Sequence, residues 1–121
     1  MIVALIGLLA ILAVFQIALA AGAPFGHLAW GGQNRILPAR QRVGSVVSVV
    51  IYAAIAVIAL GRAGQTDLVL AAISQVGMWI VLGFFVLSIV GNAVSRSRFE
   101  RSVMVPMSAA LAVLSLLVAV S

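Results

Sequence analysis

Four uncharged apolar stretches, each about as long as a bilayer core is thick, restrict this chain to a membrane fold. A hydrocarbon core of about 30 Å needs about 20 apolar residues in a helix, and stretches of that order cover residues 2–23, 43–60, 68–94 and 103–120. A transmembrane β-barrel would alternate apolar and polar residues over segments of about ten, and these stretches do not alternate. We therefore predict an all-α integral membrane four-helix bundle, formed by residues 1–121 as a single transmembrane domain.

Composition narrows the chemistry that such a bundle can carry. Hydrophobic residues make up 65% of the chain and charged residues 7%, whereas a soluble domain carries about 25% charged residues. Cysteine is absent, which excludes disulfides and thiolate chemistry. One histidine and two acidic residues cannot assemble an ordinary structural zinc site. The net charge of +5 comes from arginines beside the spans, where anionic lipid explains it without nucleic acid. We predict no metal, no cofactor and no nucleic-acid partner.

The arginines between the spans predict the orientation of the chain. Three arginines lie in each of the first and third connections, whereas the second connection carries only Arg62 and Asp67. The positive-inside rule then places the first and third connections in the cytoplasm and both termini outside it, in the cell inner (plasma) membrane. Ala18-Leu-Ala20 resembles a signal-peptidase site, but the chain start lacks the positive region of a secretory signal. We therefore predict that the first stretch is a retained span.

The first connection contains the best candidate for a functional site. Its segment GAPFGHLAWGG holds the only histidine of the chain, and its proline and glycines disfavour a continuous helix. We predict that it bends at the headgroup level and faces a pocket for an anionic lipid or a small anionic ligand, because arginine suits planar contact with phosphate or carboxylate. The predicted ligand-binding residues are His27, Trp30, Asn34, Arg35, Arg40, Arg42, Asn92, Arg96, Arg98, Glu100 and Arg101. In the alternative interpretation the arginines only contact lipid phosphates and set the topology, and Glu100 pairs with Arg96 or Arg101.

The third span carries a stripe of small and weakly polar residues. The stripe consists of Ser74, Gly77, Val81, Phe85, Ser88, Asn92 and Ser95. Their spacings of three and four place them on one helical face, which we predict to face the bundle or a second copy, because helices in lipid associate through small and hydrogen-bonding residues.

Other residues inside the spans invite individual predictions. Gln75 lies beside the stripe and Gln16 lies in the first span. Each amide needs a partner in hydrocarbon, so we expect interhelical hydrogen bonds or, alternatively, the polar lining of a substrate path, with Ser74 and Ser88 as further intramembrane polar positions. We also expect Trp79 to pack against another helix and Pro106 to lie in the first turn of the fourth span, where its missing N–H is harmless.

Three segments carry a resemblance to known proteins. AGAPFGHLAWGG, LPARQRVGSVVS and SRSRFERSVMVP resemble elements of a group of uncharacterised small bacterial four-span membrane proteins, in which AGAP(W/F)G and WGG precede an LP and arginine element. The resemblance covers most of the chain. It implies the four-span architecture and one site formed by the first and third connections, and it implies no activity, substrate or catalytic residue.

The predicted function is non-enzymatic. We expect a polytopic membrane protein that handles or transports a small molecule, ion or lipid at the cytoplasmic interface, with the bilayer as its partner and with self-association into a homo-oligomer or a larger membrane complex. One alternative is a structural or accessory subunit of such a complex. A second is a small membrane enzyme that acts on an amphiphile through His27 and Glu100. A proton-driven pump usually needs an intramembrane carboxylate or histidine, and the predicted spans contain neither.

Overall fold

The computed structural model shows four helices in series. The structure describes residues 2–26, 36–64, 71–95 and 97–120. Helix α1 covers Ile2–Ala20, α2 covers Ala39–Arg62, α3 covers Ala71–Ala93 and α4 covers Arg98–Val120. All four are long and apolar enough to cross a membrane. Within the described part of the chain the predicted all-α four-helix bundle is therefore confirmed, and the chain is a multi-pass membrane protein by the length and composition of its helices.

Two helices begin earlier than the uncharged stretches predict. Helix α2 begins at Ala39 rather than at residue 43, and α4 begins at Arg98 rather than at residue 103. A helix can continue into the headgroup layer, because its backbone bonds are made internally while long arginine side chains reach water or phosphate. The helices therefore contain charged residues that the predicted uncharged spans do not include. Their ionisable residues are Arg40, Arg42, Arg62, Arg98, Glu100 and Arg101.

Local hydrogen bonds fix where α4 starts and where α1 ends. The Ser97 hydroxyl oxygen accepts the N–H of Glu100 at 3.2 Å, as an N-cap residue does. At the end of α1, the N–H groups of Gly22 and Ala23 donate to carbonyls of the last turn at 3.1 and 2.9 Å. This pattern is a Schellman motif. Gly22 occupies its left-handed position with φ 99°, where a side chain would be strained.

The helices pack as a ring around an apolar centre. Helix α3 packs most extensively on α4, and α1 on α2, while thinner contacts of α2 with α3 and of α1 with α4 complete the ring. The outward faces carry many exposed apolar side chains, as expected of surfaces that meet lipid. The buried core consists of Leu5, Leu9, Leu12, Ile55, Ala59, Met78, Val81, Phe85, Leu111, Ala112, Val118 and Ala119.

The stripe of α3 faces this centre. Ser74, Val81 and Phe85 are buried, and a Cβ atom added at Gly77 would meet α2. The prediction that this face looks into the bundle is therefore confirmed.

Residues beside the stripe lie on the outside. Trp79 is 48% exposed, so the prediction that it packs against another helix is wrong. Gln75 is exposed as well. Gln75 follows the fully buried Ser74, and Trp79 follows the fully buried Met78. One step along a helix turns a side chain by about 100°. This rotation directs both side chains away from the bundle centre.

Pro106 lies inside α4, so the prediction that it occupies the first turn is wrong. The helix begins at Arg98, because Ser97 caps it there. Proline at this interior position removes the backbone hydrogen bond to the carbonyl of Ser102. Pro106 and Ser102 are both exposed, so the missing bond lies on the outer face of the helix.

The contact between α2 and α3 depends on the absence of a side chain at Gly77. A Cβ atom at Gly77 would lie 3.0 Å from Cγ2 of Ile58, whereas a Cβ atom at Gly83 would meet nothing within 4 Å. We expect Gly77→Leu to force the helices apart and to lower the free energy of unfolding by about 1–3 kcal/mol. The matched Gly83→Leu variant, which meets no neighbour, should leave it unchanged or raise it by up to about 1 kcal/mol through helix propensity. Equilibrium unfolding in detergent micelles measures both, and equal effects would contradict the close α2–α3 contact.

Candidate functional site

A cavity of about 240 Å³ lies among the four helices. Ligand pockets commonly have roughly 300–1,000 Å³, so this cavity has room for a few waters or one small solute. Its polar residues come from every helix and extend from the end where α1 and α3 finish toward the middle of α2 and α4. They are Gln16, Tyr52, Ser88, Asn92, Glu100 and Ser108. Phe84 and Gly91 also line the cavity and are exposed, so it reaches the outside of the bundle beside α3.

Glu100 brings a carboxylate into this cavity. It lies in the first turn of α4, is 7% exposed and lines the cavity together with Met104, Ser108 and Leu111. These four residues are separated by steps of four, four and three, which places them on one helical face. Burial of a carboxylate is costly unless it is paired and hydrogen-bonded. The structure therefore buries Glu100 at the end of the bundle, in the first turn of α4, which precedes the uncharged stretch.

A hydrogen bond joins α3 to α4 at the cavity wall. The Asn92 Nδ2 atom donates to the Ser108 hydroxyl oxygen at 2.7 Å and lies 3.5 Å from the carbonyl oxygen of Met104. The Ser88 hydroxyl instead donates to the carbonyl of Phe84, one turn back in its own helix, at 2.9 Å. Asn92 thus holds the two helices together, whereas Ser88 contributes a polar surface to the cavity without linking helices.

Gln16 and Tyr52 close the cavity from α1 and α2. Their side chains hydrogen-bond to each other, which agrees with the interhelical hydrogen bond predicted for Gln16. The Oε1 atom of Gln16 is buried and has no hydrogen-bond partner among the described residues. An unpaired buried acceptor costs free energy, so this oxygen adds to the cost of placing Gln16 between the helices.

None of the described arginines is among the lining residues of the cavity. Arg40, Arg98 and Arg101 are exposed. The Arg98 guanidinium lies 5.9 Å from the ring centre of Phe99, and Arg101 donates to the carbonyl of Ser95 at 2.6 Å. That these three arginines share a pocket with Glu100 and His27 stays a prediction, because the predicted pocket centres on residues outside the described part of the chain. Among the described residues, the three arginines lie on the outer faces of the helices and Glu100 lies on the inner face of α4.

Two other arginines stabilise helix ends. Arg42 is half-buried and donates through Nε to the carbonyl of Leu37 at 2.8 Å, and its guanidinium lies against Gly22 at the end of α1. Arg62 donates to the carbonyl of Ala119 through Nε at 3.3 Å and Nη2 at 3.1 Å. Cations at helix C-termini interact favourably with the helix dipole and the last carbonyls, so both contacts are structural.

The remaining predicted ligand-binding residues lie outside the described part of the chain. They are His27, Trp30, Asn34, Arg35 and Arg96. The anion pocket around His27 and the pairing of His27 with Glu100 therefore stay predictions. Within residues 2–26, 36–64, 71–95 and 97–120, no three His, Cys, Asp or Glu side chains come together to hold a metal ion.

Sequence reasoning missed Tyr52 and Ser108 as site residues and placed Glu100 outside the helices. The run Ser97-Arg-Phe-Glu100 matches the S-x-x-E capping box, which marks a helix start at Ser97 and puts Glu100 in the first turn. Ser108 follows Glu100 by eight residues and so shares its face. No comparable signal identifies Tyr52, because its place at the cavity depends on how α2 packs against α1.

Comparison with known proteins gives no relative: no family model, curated protein or solved structure matches the chain. The resemblance to small bacterial four-span proteins therefore stays a prediction. Self-association also stays a prediction.

The Asn92–Ser108 contact should be measurable as a coupling between α3 and α4. We expect Asn92→Ala to lower the free energy of unfolding by about 0.5–1.5 kcal/mol, since interhelical hydrogen bonds in membranes contribute about 0.6 kcal/mol on average and about 1.7 at most. A double-mutant cycle with Ser108→Ala, read by unfolding in micelles, gives the coupling itself. Ser88→Ala serves as the control for Ser108→Ala, because its hydroxyl bonds within its own helix. A coupling of zero between Asn92 and Ser108 would contradict the contact.

Proposed function

We propose that this chain is a non-enzymatic membrane protein that binds a small polar solute between its helices and carries it between the faces of the bilayer. The observation that supports the proposal is the cavity that places Glu100, Asn92 and Ser108 inside a bundle of membrane helices. Polar and ionisable residues at such positions are costly, face a bundle interior or a water-filled space, and mark substrate or ion pathways.

The apolar lining of the cavity fits a transport cycle. Leu12, Phe85 and Leu111 line it and are almost fully buried, and they lie farther than Gln16, Asn92 and Glu100 from the arginine-rich end of the helices. Beyond them Ser115 is fully buried, and its hydroxyl has no hydrogen-bond partner among the described residues. A solute held above an apolar layer crosses when the helices rearrange to open that layer, as in alternating access.

The orientation of the chain belongs to the same proposal. Arg40, Arg98 and Arg101 lie at the beginning of α2 and α4, at the end of the bundle that holds Glu100. Under the positive-inside rule this end of the bundle faces the cytoplasm. Both termini of the chain then lie outside the cytoplasm, and the membrane is the inner (plasma) membrane. The solute would then enter or leave the cavity at the cytoplasmic interface.

Water access to the cavity tests the proposal. The chain has no native cysteine, so each single-cysteine variant reports one position. We expect Ser108→Cys to react with a membrane-impermeant thiol reagent when the protein is in vesicles and its arginine-rich end faces the reagent. Ser115→Cys is the matched control on the same helix, because Ser115 is also buried but does not line the cavity. We expect it to react at least about tenfold more slowly, since a thiol packed in apolar surroundings is protected.

The result separates a solute-handling protein from a scaffold subunit. A scaffold needs no wet cavity, so both cysteines would be unreactive from either side of the vesicle. Equal reaction at Ser108→Cys and Ser115→Cys would also contradict the proposal, because access would then not depend on the cavity.

A further inference from the structure

We infer that the cavity takes the polar head of a single-chain amphiphile from the bilayer through a crevice between α2 and α3, and this inference rests on the solute-handling function proposed above. The head that fits the cavity is compact, uncharged and able to form hydrogen bonds, as in a monoacylglycerol. The crevice is formed by Val47 and Ile51 of α2 and by Phe84 and Gly91 of α3.

One face of α3 changes from packed to open along the helix. Gly77, Phe84 and Gly91 are separated by steps of seven, which places them on the same side of α3. A Cβ atom at Gly77 would lie 3.0 Å from Cγ2 of Ile58 in α2, whereas a Cβ atom at Gly91 would meet nothing within 4 Å. Phe84 and Gly91 are both exposed. The two helices therefore separate toward the end of α3.

The facing side of α2 shows the same change. Ile58, Ile51 and Val47 follow steps of seven and four, so they share a helical face. Ile58 lies against Gly77, whereas Ile51 and Val47 are 39% and 51% exposed. Helix α2 begins at the end of the bundle where α3 finishes, so the exposed parts of both helices lie at that end. Two helices that touch at Ile58 and Gly77 and then diverge leave a crevice open to the bilayer.

The crevice leads into the cavity. Phe84 and Gly91 belong to both, because they are exposed and also line the cavity. Tyr52, which follows Ile51, lines the cavity from α2. Gly91 lies in the last turn of α3, and the seven residues back to Phe84 span about 10 Å of helix. The opening therefore runs from near the headgroup layer into the hydrocarbon of the same leaflet.

The walls of the crevice are apolar, whereas the cavity behind them offers hydrogen-bonding groups. Ser88, Asn92 and Ser108 line the cavity, and hydroxyl and amide groups both donate and accept hydrogen bonds. An alkyl chain suits the walls, and a head with hydroxyl groups suits the interior. The molecule that satisfies both surfaces at once is an amphiphile, and it reaches them from within the bilayer.

The described charges do not favour an ionic head. Glu100 lines the cavity but already has an interaction of its own within the protein. Arg40, Arg98 and Arg101 are exposed and do not line the cavity. Moving a charge from water into such surroundings is costly unless the charge is paired. The volume of about 240 Å³ limits the head to a compact group such as glycerol, while the chain stays in the crevice and the bilayer.

Photocrosslinking in phosphatidylcholine nanodiscs tests the inference with a monoacylglycerol that carries a diazirine near its head. We expect cross-links at residues of the crevice and the cavity, mapped by mass spectrometry. Excess monolaurin should compete with the probe, whereas glycerol alone and dodecane alone should not, because each fits only one part of the site. A lysophosphatidic acid with the same chain should compete at least about tenfold less well, because its head is charged.

Gly91→Phe is the variant that tests the crevice itself. The space around the Cβ position of residue 91 is free, so the new ring would fill the opening, and cross-linking should fall by about tenfold or more. Gly83→Phe is the matched control, because a Cβ atom there also meets nothing within 4 Å but Gly83 does not line the cavity. Val47→Phe narrows the crevice from α2 and should also lower cross-linking. It decides the test if unfolding in micelles shows that Gly91→Phe is unstable.

The possible results separate this inference from the proposed function. Cross-links spread evenly over the outer faces of all four helices would overturn the inference, since the probe would then report only the surrounding lipid. Equal cross-linking in Gly91→Phe and Gly83→Phe would contradict the crevice, and stronger competition by the lysophosphatidic acid would contradict the uncharged head. If Ser108→Cys reacts with the thiol reagent but the probe finds no site, the inference fails while the solute-handling function stands. If neither Ser108→Cys nor Ser115→Cys reacts, the proposed function itself fails.

Discussion

A polar group inside a bilayer finds no partner in the lipid, and this constraint organises the bundle. Backbone groups meet it by forming helices. Side chains meet it by turning inward, and Asn92 does so by donating to Ser108 across the contact of α3 with α4 at 2.7 Å. The same inner faces carry Glu100 and Ser88. The inward rotation of these polar groups gives the cavity its polar lining.

The fold could be predicted from the sequence because hydrocarbon length and charge exclusion act on every residue of a span. The inward face of α3 was predictable for a related reason, since spacings of three and four leave one face for Ser74 and Phe85. The residues of the candidate site were harder to predict from the sequence. The uncharged stretch predicts only where the hydrocarbon begins. Glu100 belongs to α4 because Ser97 caps the helix before that point. The position of Tyr52 depends on tertiary packing, which a single sequence does not encode locally.

The arginines divide into two groups with different physical roles. Arg62 bonds the carbonyl of Ala119 at the end of α4, and the Arg42 guanidinium lies against Gly22 at the end of α1. At a helix C-terminus a cation stabilises the helix dipole. Arg40 and Arg98 lie in the first turns of α2 and α4, where a positive charge opposes the dipole. Helix stability therefore does not explain Arg40 and Arg98. Their exposure at one end of the bundle fits contact with lipid phosphates and the control of topology.

Because of this division, an anionic lipid and a small solute would contact different groups of the protein. The sequence placed both interactions in one pocket, with arginines and Glu100 together. In the structure the exposed arginines lie on outer helix faces and the Glu100 carboxylate lies on the inner face of α4, so lipid phosphate outside and a small solute inside would not compete for the same groups. Binding of lipid by Arg98 and Arg101 would also hold the first turn of α4 at the interface. It would thereby keep Glu100 at the depth where the proposed solute enters, so that the lipid contact supports the cavity without being part of it.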